Sequence, residues 1–276
     1  MSYSRIDDLV VMGPSVRRVA VRIAYRGAGF SGSQRQPENR TVEGEILTSL
    51  LMISDGLSEN EIELKTASRT DAGVNALGNV VAFYTRFLND EKLLDALNAV
   101  SRGVFYLSVT ELPLDYGIRR AWRRRYLYVL PSAKLDVSKM RQVAELLIGK
   151  HDFIRFCRAD GKPSVLLMEE VEVHEKDGLI EIRFCARYFL WNLVRRLVAA
   201  MEMVGQGRAS IEDVRRALQG ERIVFGVARP DRLTLLDVEY DDLEFRSYHS
   251  SNLIRRAEEE MLQASLSLSF HSQLLP

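Results

Sequence analysis

The sequence is poor in the residues that often mark a site by themselves. It has two cysteines, Cys157 and Cys185, in 276 residues. Neither lies in a CxxC spacing, which excludes a disulfide scaffold and a thiolate metal cluster; both read as small buried hydrophobes. The four histidines, His151, His174, His249 and His271, are scattered. They form no HExxH or Cys/His ligand pattern, so no metal is expected. Apolar runs long enough to cross a bilayer are also lacking. The longest, Phe189 to Val204, is broken by Asn192, Arg195, Arg196 and Glu202. The first residues carry Asp7 and Asp8 and no apolar signal-peptide core, and a cytoplasmic location is expected. Net charge is missing too, since 38 basic side chains balance 38 acidic ones. That counts against a uniformly basic nucleic-acid binder and leaves open a protein with one basic face.

What is present is the profile of a soluble globular chain, 46% apolar and 28% charged. The length suits one large domain or two ordinary ones. Arg18 to Tyr25 alternates apolar and polar residues, the period of a strand. Thr41 has the position of a helix N-cap, with Glu43 and Glu45 in the first turns and apolar residues continuing to Ile53. Ile62 to Ala67 alternates again. Asn79 to Tyr84 is β-prone, Asp90 to Val100 reads as a helix, and Gly103 to Thr110 as a strand. The second half repeats the rhythm. Arg125 to Leu130 reads as a strand and Val137 to Ile148 as an amphipathic helix. Val165 to His174 and Leu179 to Ala186 form a hairpin across Lys176-Asp177-Gly178. Phe189 to Val204 reads as one helix, apolar nearly all round. Ser210 opens another with a capping-box pattern, and Leu233 to Tyr240 is a last strand. A helix with an acidic patch follows from about Ser251.

Hairpins join the strands as often as helices do, which favours an α+β fold with mainly antiparallel sheets. The expected division is an N-terminal extension (1–17), an α+β domain (18–117), a second α+β domain (118–245) and a helical tail (246–276). The two domains would be pseudo-symmetric, their sheets joined around a central cleft.

Asp71 stands in a short polar turn between two apolar strands, two residues after Arg69, with Gly73 following. A carboxylate so placed is a candidate for catalysis, although Asp and Gly in a turn more commonly form an Asx-turn that merely shapes a hairpin. The five arginines Arg119, Arg120, Arg123, Arg124 and Arg125 could form a phosphate-binding stripe or a solvated face. Arg195 lies in the apolar helix reading, where it must snorkel, pair or face a cleft.

The wording of several segments narrows these alternatives. Ser68-Arg69-Thr70-Asp71-Ala72-Gly73-Val74-Asn75-Ala76 resembles the central G-R-T-D-A-G-V-H-A motif of the TruA family of tRNA pseudouridine synthases, and Gly78 to Phe83 the strand after it. Tyr25 to Gln36 resembles that family's Y-D-G-x-x-F-x-G-x-Q-x-Q loop, and Arg40 to Gly44 its R-T-V-x-G helix start. Ala121 to Tyr128, His151-Asp152-Phe153, Phe189 to Arg195 and Leu233 to Tyr240 resemble four further family segments in order. The wording around Ser31 to Pro37 is similar to archaeal members. Three positions depart from the common pattern: Ser33 for tryptophan, Asn75 for histidine and Ser68 for glycine.

The resemblance implies isomerisation of uridine to pseudouridine in the anticodon stem-loop of tRNA, without a cofactor, by a homodimer. It implies Asp71 as nucleophile, Arg195 as its charge partner and Tyr126 as the ring that stacks on the target base. Arg69 would help extrude that base. Leu233 or Leu235 would wall the uracil pocket. Arg119, Arg123 and Arg124 would hold phosphates. For Tyr126 and the leucines, plain core packing is the alternative reading. An idle RNA-binding protein of the same fold would need no Asp71–Arg195 pair. An aspartate-based phosphotransferase would need a second nearby acid, which the Asp71-Ala72-Gly73 sequence lacks.

Overall fold

The computed structural model describes residues 16–274 apart from 159, 160 and 162. Most of the expected N-terminal extension therefore lies outside the described residues. Strand β1 (Arg17–Tyr25) is followed by helices α1 (Val42–Ile53) and α2 (Glu59–Ile62) and strands β2 (Lys65–Thr66) and β3 (Asn75–Thr85). Helix α3 (Asp90–Val100) and strand β4 (Val104–Glu111) complete the first half. Then come β5 (Arg123–Pro131), α4 (Val137–Leu147), β6 (Gly149–Asp152), β7 (Val165–Lys176) and β8 (Leu179–Ala186). Helices α5 (Leu193–Gly205) and α6 (Ile211–Leu218) precede β9 (Leu233–Glu239), β10 (Arg246–Ser247) and the long helix α7 (Ser251–Ser272).

The strands form one mixed, mostly antiparallel sheet in the order β10-β4-β1-β3-β9-β5-β8-β7-β6, with β2 paired to β3. The fold is α+β. The two halves of the chain meet where β3 pairs with β9, in parallel, over only Asn75↔Thr234 and Ala76↔Leu235. On the far side β9 runs antiparallel to β5, with a register shift between Arg125 and Tyr126. Gly78 makes the junction possible. A Cβ there would lie 2.5 Å from the Leu236 carbonyl oxygen, so any side chain would push the halves apart.

Local chemistry explains most element ends. Thr41 Oγ1 accepts from the Gly44 N–H at 3.2 Å and Ser210 Oγ from the Asp213 N–H at 3.1 Å, both N-caps. Two expectations change. Ile62 to Ala67 is not a strand, because Ser58 and Glu61 close a capping box that starts α2 and leaves only Lys65 and Thr66 to pair. The helix expected from Phe189 begins four residues later, at Leu193. Asn192 adopts the left-handed conformation (φ 63°), which a helix interior does not contain and asparagine tolerates. Phe189 to Trp191 are therefore a loop.

A continuous apolar core links both halves, with Phe83, Leu93 and Tyr106 in the first and Tyr128, Phe153 and Phe184 in the second. The start of α7 is tied to α3. Asp95 accepts from Ser250 Oγ at 2.8 Å and from Asn252 Nδ2 at 2.9 Å. These bonds to its ionised form hold the Asp95 carboxyl below its usual range. The rest of α7, from Glu258 on, is exposed. Among the described residues no helix is long and apolar enough to cross a membrane.

Candidate active site

The loop between β2 and β3 carries Asp71 to the junction of the halves. Its backbone is pinned from several directions. Ser33 donates its N–H to the Thr70 carbonyl at 3.0 Å and accepts the Thr70 N–H on Oγ at 2.8 Å. Tyr25 Oη and Thr70 Oγ1 share a hydrogen bond of 2.8 Å, and Asn79 Nδ2 donates to the Ser68 carbonyl at 2.9 Å. Gly73 follows Asp71 with φ +82°, which turns the chain sharply into β3. Asp71 is thus presented by a rigid turn.

It faces a cleft of about 700 Å³ whose walls include Arg69, Arg119, Arg124, Tyr126, Phe189, Trp191, Arg195 and Leu233. Arg195, 124 positions away on α5, donates from Nη1 to Asp71 Oδ2 at 3.0 Å. Its side chain is 17% exposed and that of Asp71 30% exposed. The guanidinium is itself held, with Nε donating to the Ala228 carbonyl at 2.8 Å and Nη1 to Asn192 Oδ1 at 3.1 Å. A carboxylate in a partly closed cleft loses hydration that an adjacent fixed cation replaces, and the charge-assisted bond points the carboxylate into the cleft.

Tyr126 projects from β5 into the same cleft and is 7% exposed. Its ring meets Phe189 edge to face at 4.9 Å. Burial pushes its phenol well above the usual range, the Asp71 charge adding to the effect, so it stays neutral and serves as a ring. Leu233 lies in the cleft wall. Leu235, paired with Ala76 and Tyr126, is fully buried outside that wall, so it packs core.

The arginine run does not form a single stripe. Arg119 and Arg69 are exposed at the cleft. Arg124 lines the cleft but is 8% exposed and spends its donors inside the protein. Nε reaches Ser68 Oγ at 2.8 Å, Nη1 the Arg187 carbonyl at 2.5 Å, and Nη2 the carbonyls of Ala67 and Arg119 at 3.2 Å each. Desolvation lowers its pKa, and no carboxylate offsets this. Arg123 and Arg125 project from the other face of β5 among Glu169, Glu170 and Glu239. Of the arginines expected to hold phosphates, Arg123 lies among carboxylates and Arg124 spends its donors largely on backbone carbonyls, whereas Arg119 is exposed at the cleft. Strand alternation separates Arg123 from Arg124, which a reading of charge density alone overlooks.

Trp191 was missed as a site residue by reading the sequence. Its indole N–H donates to Asp71 Oδ1 at 3.0 Å, and the residue is 43% exposed. Read as part of a helix from Phe189, it was given no role. Among the described residues no group of three or more His, Cys, Asp or Glu side chains is placed to hold a metal ion.

With this geometry in view, comparison with known proteins is informative. The profile of a family described as tRNA pseudouridine synthase matches residues 143–241. The tRNA pseudouridine synthase A of Pyrococcus abyssi is 42% identical over 239 residues, covering 83% of this chain and 86% of that protein. The protein of the same name from Pyrococcus furiosus is 35% identical over 273 residues, covering 94% and 98%. That of Methanosarcina barkeri is 37% identical over 229 residues, covering 82% and 85%. The chain belongs to the tRNA pseudouridine synthase A family. It is thereby an isomerase.

In this synthase the three departures from the common motif each have a partner. Ser33 clamps Thr70 as above. Ser68 accepts from Arg124. Asn75 accepts the Gly27 N–H at 2.9 Å and donates to the Asp231 carbonyl at 3.0 Å, linking the first loop to the segment before β9. The substituted residues hold the same turn from which Asp71 projects.

Proposed function

We propose that this chain isomerises uridine to pseudouridine in tRNA, with Asp71 as the nucleophile. The observation that carries the reading is the 3.0 Å pair between Asp71 and Arg195 inside a cleft that also holds Tyr126. The reaction breaks the N-glycosidic bond, turns the uracil and rejoins it through carbon. It needs an ionised carboxylate near the sugar C1′ or the base C6 and a pocket that retains the detached base. No redox or hydrolytic partner enters the balance.

Each wall of the cleft has a part in this reading. Arg195 gives Asp71 a charge-assisted partner while the target base excludes water. Tyr126 stacks on the base, an interaction worth about 1–3 kcal/mol for one base. Leu233 supplies an apolar wall along which uracil turns. Arg69 is exposed beside Asp71, and among the described residues no ion pair holds its guanidinium. It is positioned to enter the space that a flipped nucleotide leaves. Arg69 and Arg119 contact phosphates. The anticodon stem-loop as target, a cytoplasmic homodimer and two pseudo-symmetric halves at 18–117 and 118–245 complete the proposal. The support for the last is the meeting of both halves' strands at β3 and β9.

The test is tritium release from tRNA labelled at uracil C5. Wild-type protein is expected to release label, and folded Asp71→Ala to release none. No release by a folded wild type from any tRNA pool would sink the reading and favour an idle RNA-binding protein. Release by Asp71→Ala at the wild-type rate would remove Asp71 as nucleophile.

A further inference from the structure

The Asp71 carboxylate is held by two donors from two different groups. Arg195 bonds Oδ2 and the Trp191 indole bonds Oδ1, each at 3.0 Å. The terminal torsion of an aspartate is broad, so a single donor leaves the carboxylate plane free to turn. Two donors on separate oxygens fix that plane. A carboxylate has about four lone-pair sites, so two bonds still leave one on each oxygen for reaction.

Trp191 is built for that aim. Its indole can only donate, which settles the polarity of the bond. The Arg158 guanidinium lies 4.1 Å from its ring centroid, and the Arg158 N–H donates to its carbonyl at 2.9 Å. The left-handed Asn192 then turns the chain directly into α5. Indole and guanidinium thus converge on one carboxylate from a single five-residue segment. Core packing does not account for a tryptophan residue that is 43% exposed. A stacking platform would account for its exposure but not for an N–H directed at Asp71.

We propose that Trp191 is a positioning residue for the isomerisation: its indole N–H fixes the plane of the Asp71 carboxylate for attack. The proposal rests on the reading of Asp71 as nucleophile, and it predicts a signature independent of activity. The chain has two tryptophans, Trp122 and Trp191. The nitrogen-15-labelled protein should show two indole N–H resonances, and Trp191→Phe assigns one by deleting it. In Asp71→Ala that resonance should move and its proton should exchange faster with water. A Trp191 resonance unchanged in a folded Asp71→Ala protein would overturn the proposal.

Kinetics give the second readout. Trp191→Phe keeps a ring and removes the donor. The expected result is a fall of about tenfold in kcat with KM changed less than about twofold, the size of one hydrogen bond to a charged group. Wild-type kcat, or a loss confined to KM, would overturn it, the latter because it reports a stacking surface. A wild type silent on tRNA would sink the isomerase reading instead, while the resonance would still decide whether the indole holds the carboxylate.

Discussion

Strand β5 carries arginines on both faces, and the two faces treat them differently. On one, Arg125 pairs with Glu170 and Glu239 at 2.6 Å each, and Arg123 lies 3.5–3.8 Å from Glu169, Glu170 and Glu239. On the other, Arg124 has only neutral oxygens and Tyr126 looks into the cleft. The first face neutralises its charges locally. The second uses a cation as a brace between β5 and the turn that presents Asp71. Charge in a strand is thus organised by parity of position, not by density along the chain. A third arginine sharpens the contrast: Arg195, from a helix, brings a charge that Asp71 answers.

The largest effect should come from Arg195. Arg195→Met is expected to lower kcat about 100-fold, because it strips the carboxylate of a charge-assisted bond worth roughly 2–3 kcal/mol. Single-turnover tritium release checks this, and a near-normal rate would make the pair merely structural. Arg124→Met should act on the fold instead. It leaves several buried oxygens without a donor and should destabilise the protein by roughly 2–4 kcal/mol, lowering the melting temperature by about 5–15 °C. If Arg124→Met kept its melting temperature and lost tRNA affinity, the phosphate role would return.

A smaller difference separates the exposed arginines from the paired one. Arg69→Ala and Arg119→Ala should each reduce the slope of log affinity for tRNA against log salt by about one. Arg123→Ala should leave that slope unchanged and alter stability by no more than about 1 kcal/mol. A salt titration of the three variants decides it. The smallest effect concerns Cys185, which is buried on β8 opposite Arg125 of β5. Burial pushes its thiol up to about 11. A raised pKa keeps the unreactive neutral thiol dominant at lower pH, so maleimide labelling at Cys185 should be slow at pH 8 and rise as pH approaches 11. Fast labelling at pH 8 in the folded protein would show that the thiol is neither shielded nor raised.

Features encoded by neighbouring residues were readable before the structure. The caps at Thr41 and Ser210, helix α3 and the hairpin at Asp177-Gly178 depend on residues within a few positions of one another. Asp71, Arg195 and Tyr126 were legible through the wording of their segments, and the structure brings them into one cleft. What was not legible depends on distant partners or on a single dihedral. The split of the arginine run requires the register of β5 against β8 and β9, and of β8 against β7. The choice between Leu233 and Leu235 requires the edge of the cleft. The late start of α5 turns on Asn192 alone, and with it the placing of Trp191. The parallel pairing of β3 with β9 joins residues some 160 positions apart, beyond any local pattern.

That pairing has a consequence for how the protein is born. The middle of the sheet is the last part of the junction to be made. Strand β3 leaves the ribosome early, while β9 follows more than 150 residues later. At ~5–20 residues per second of synthesis, the β3 side that will meet β9 waits roughly ten to thirty seconds for its partner. The partners that pin the Asp71 turn, Tyr25, Ser33 and Asn79, all precede Arg195 by more than 110 positions. The nascent chain holds its acid before it holds the cation that answers it, and the strand that joins the halves follows both.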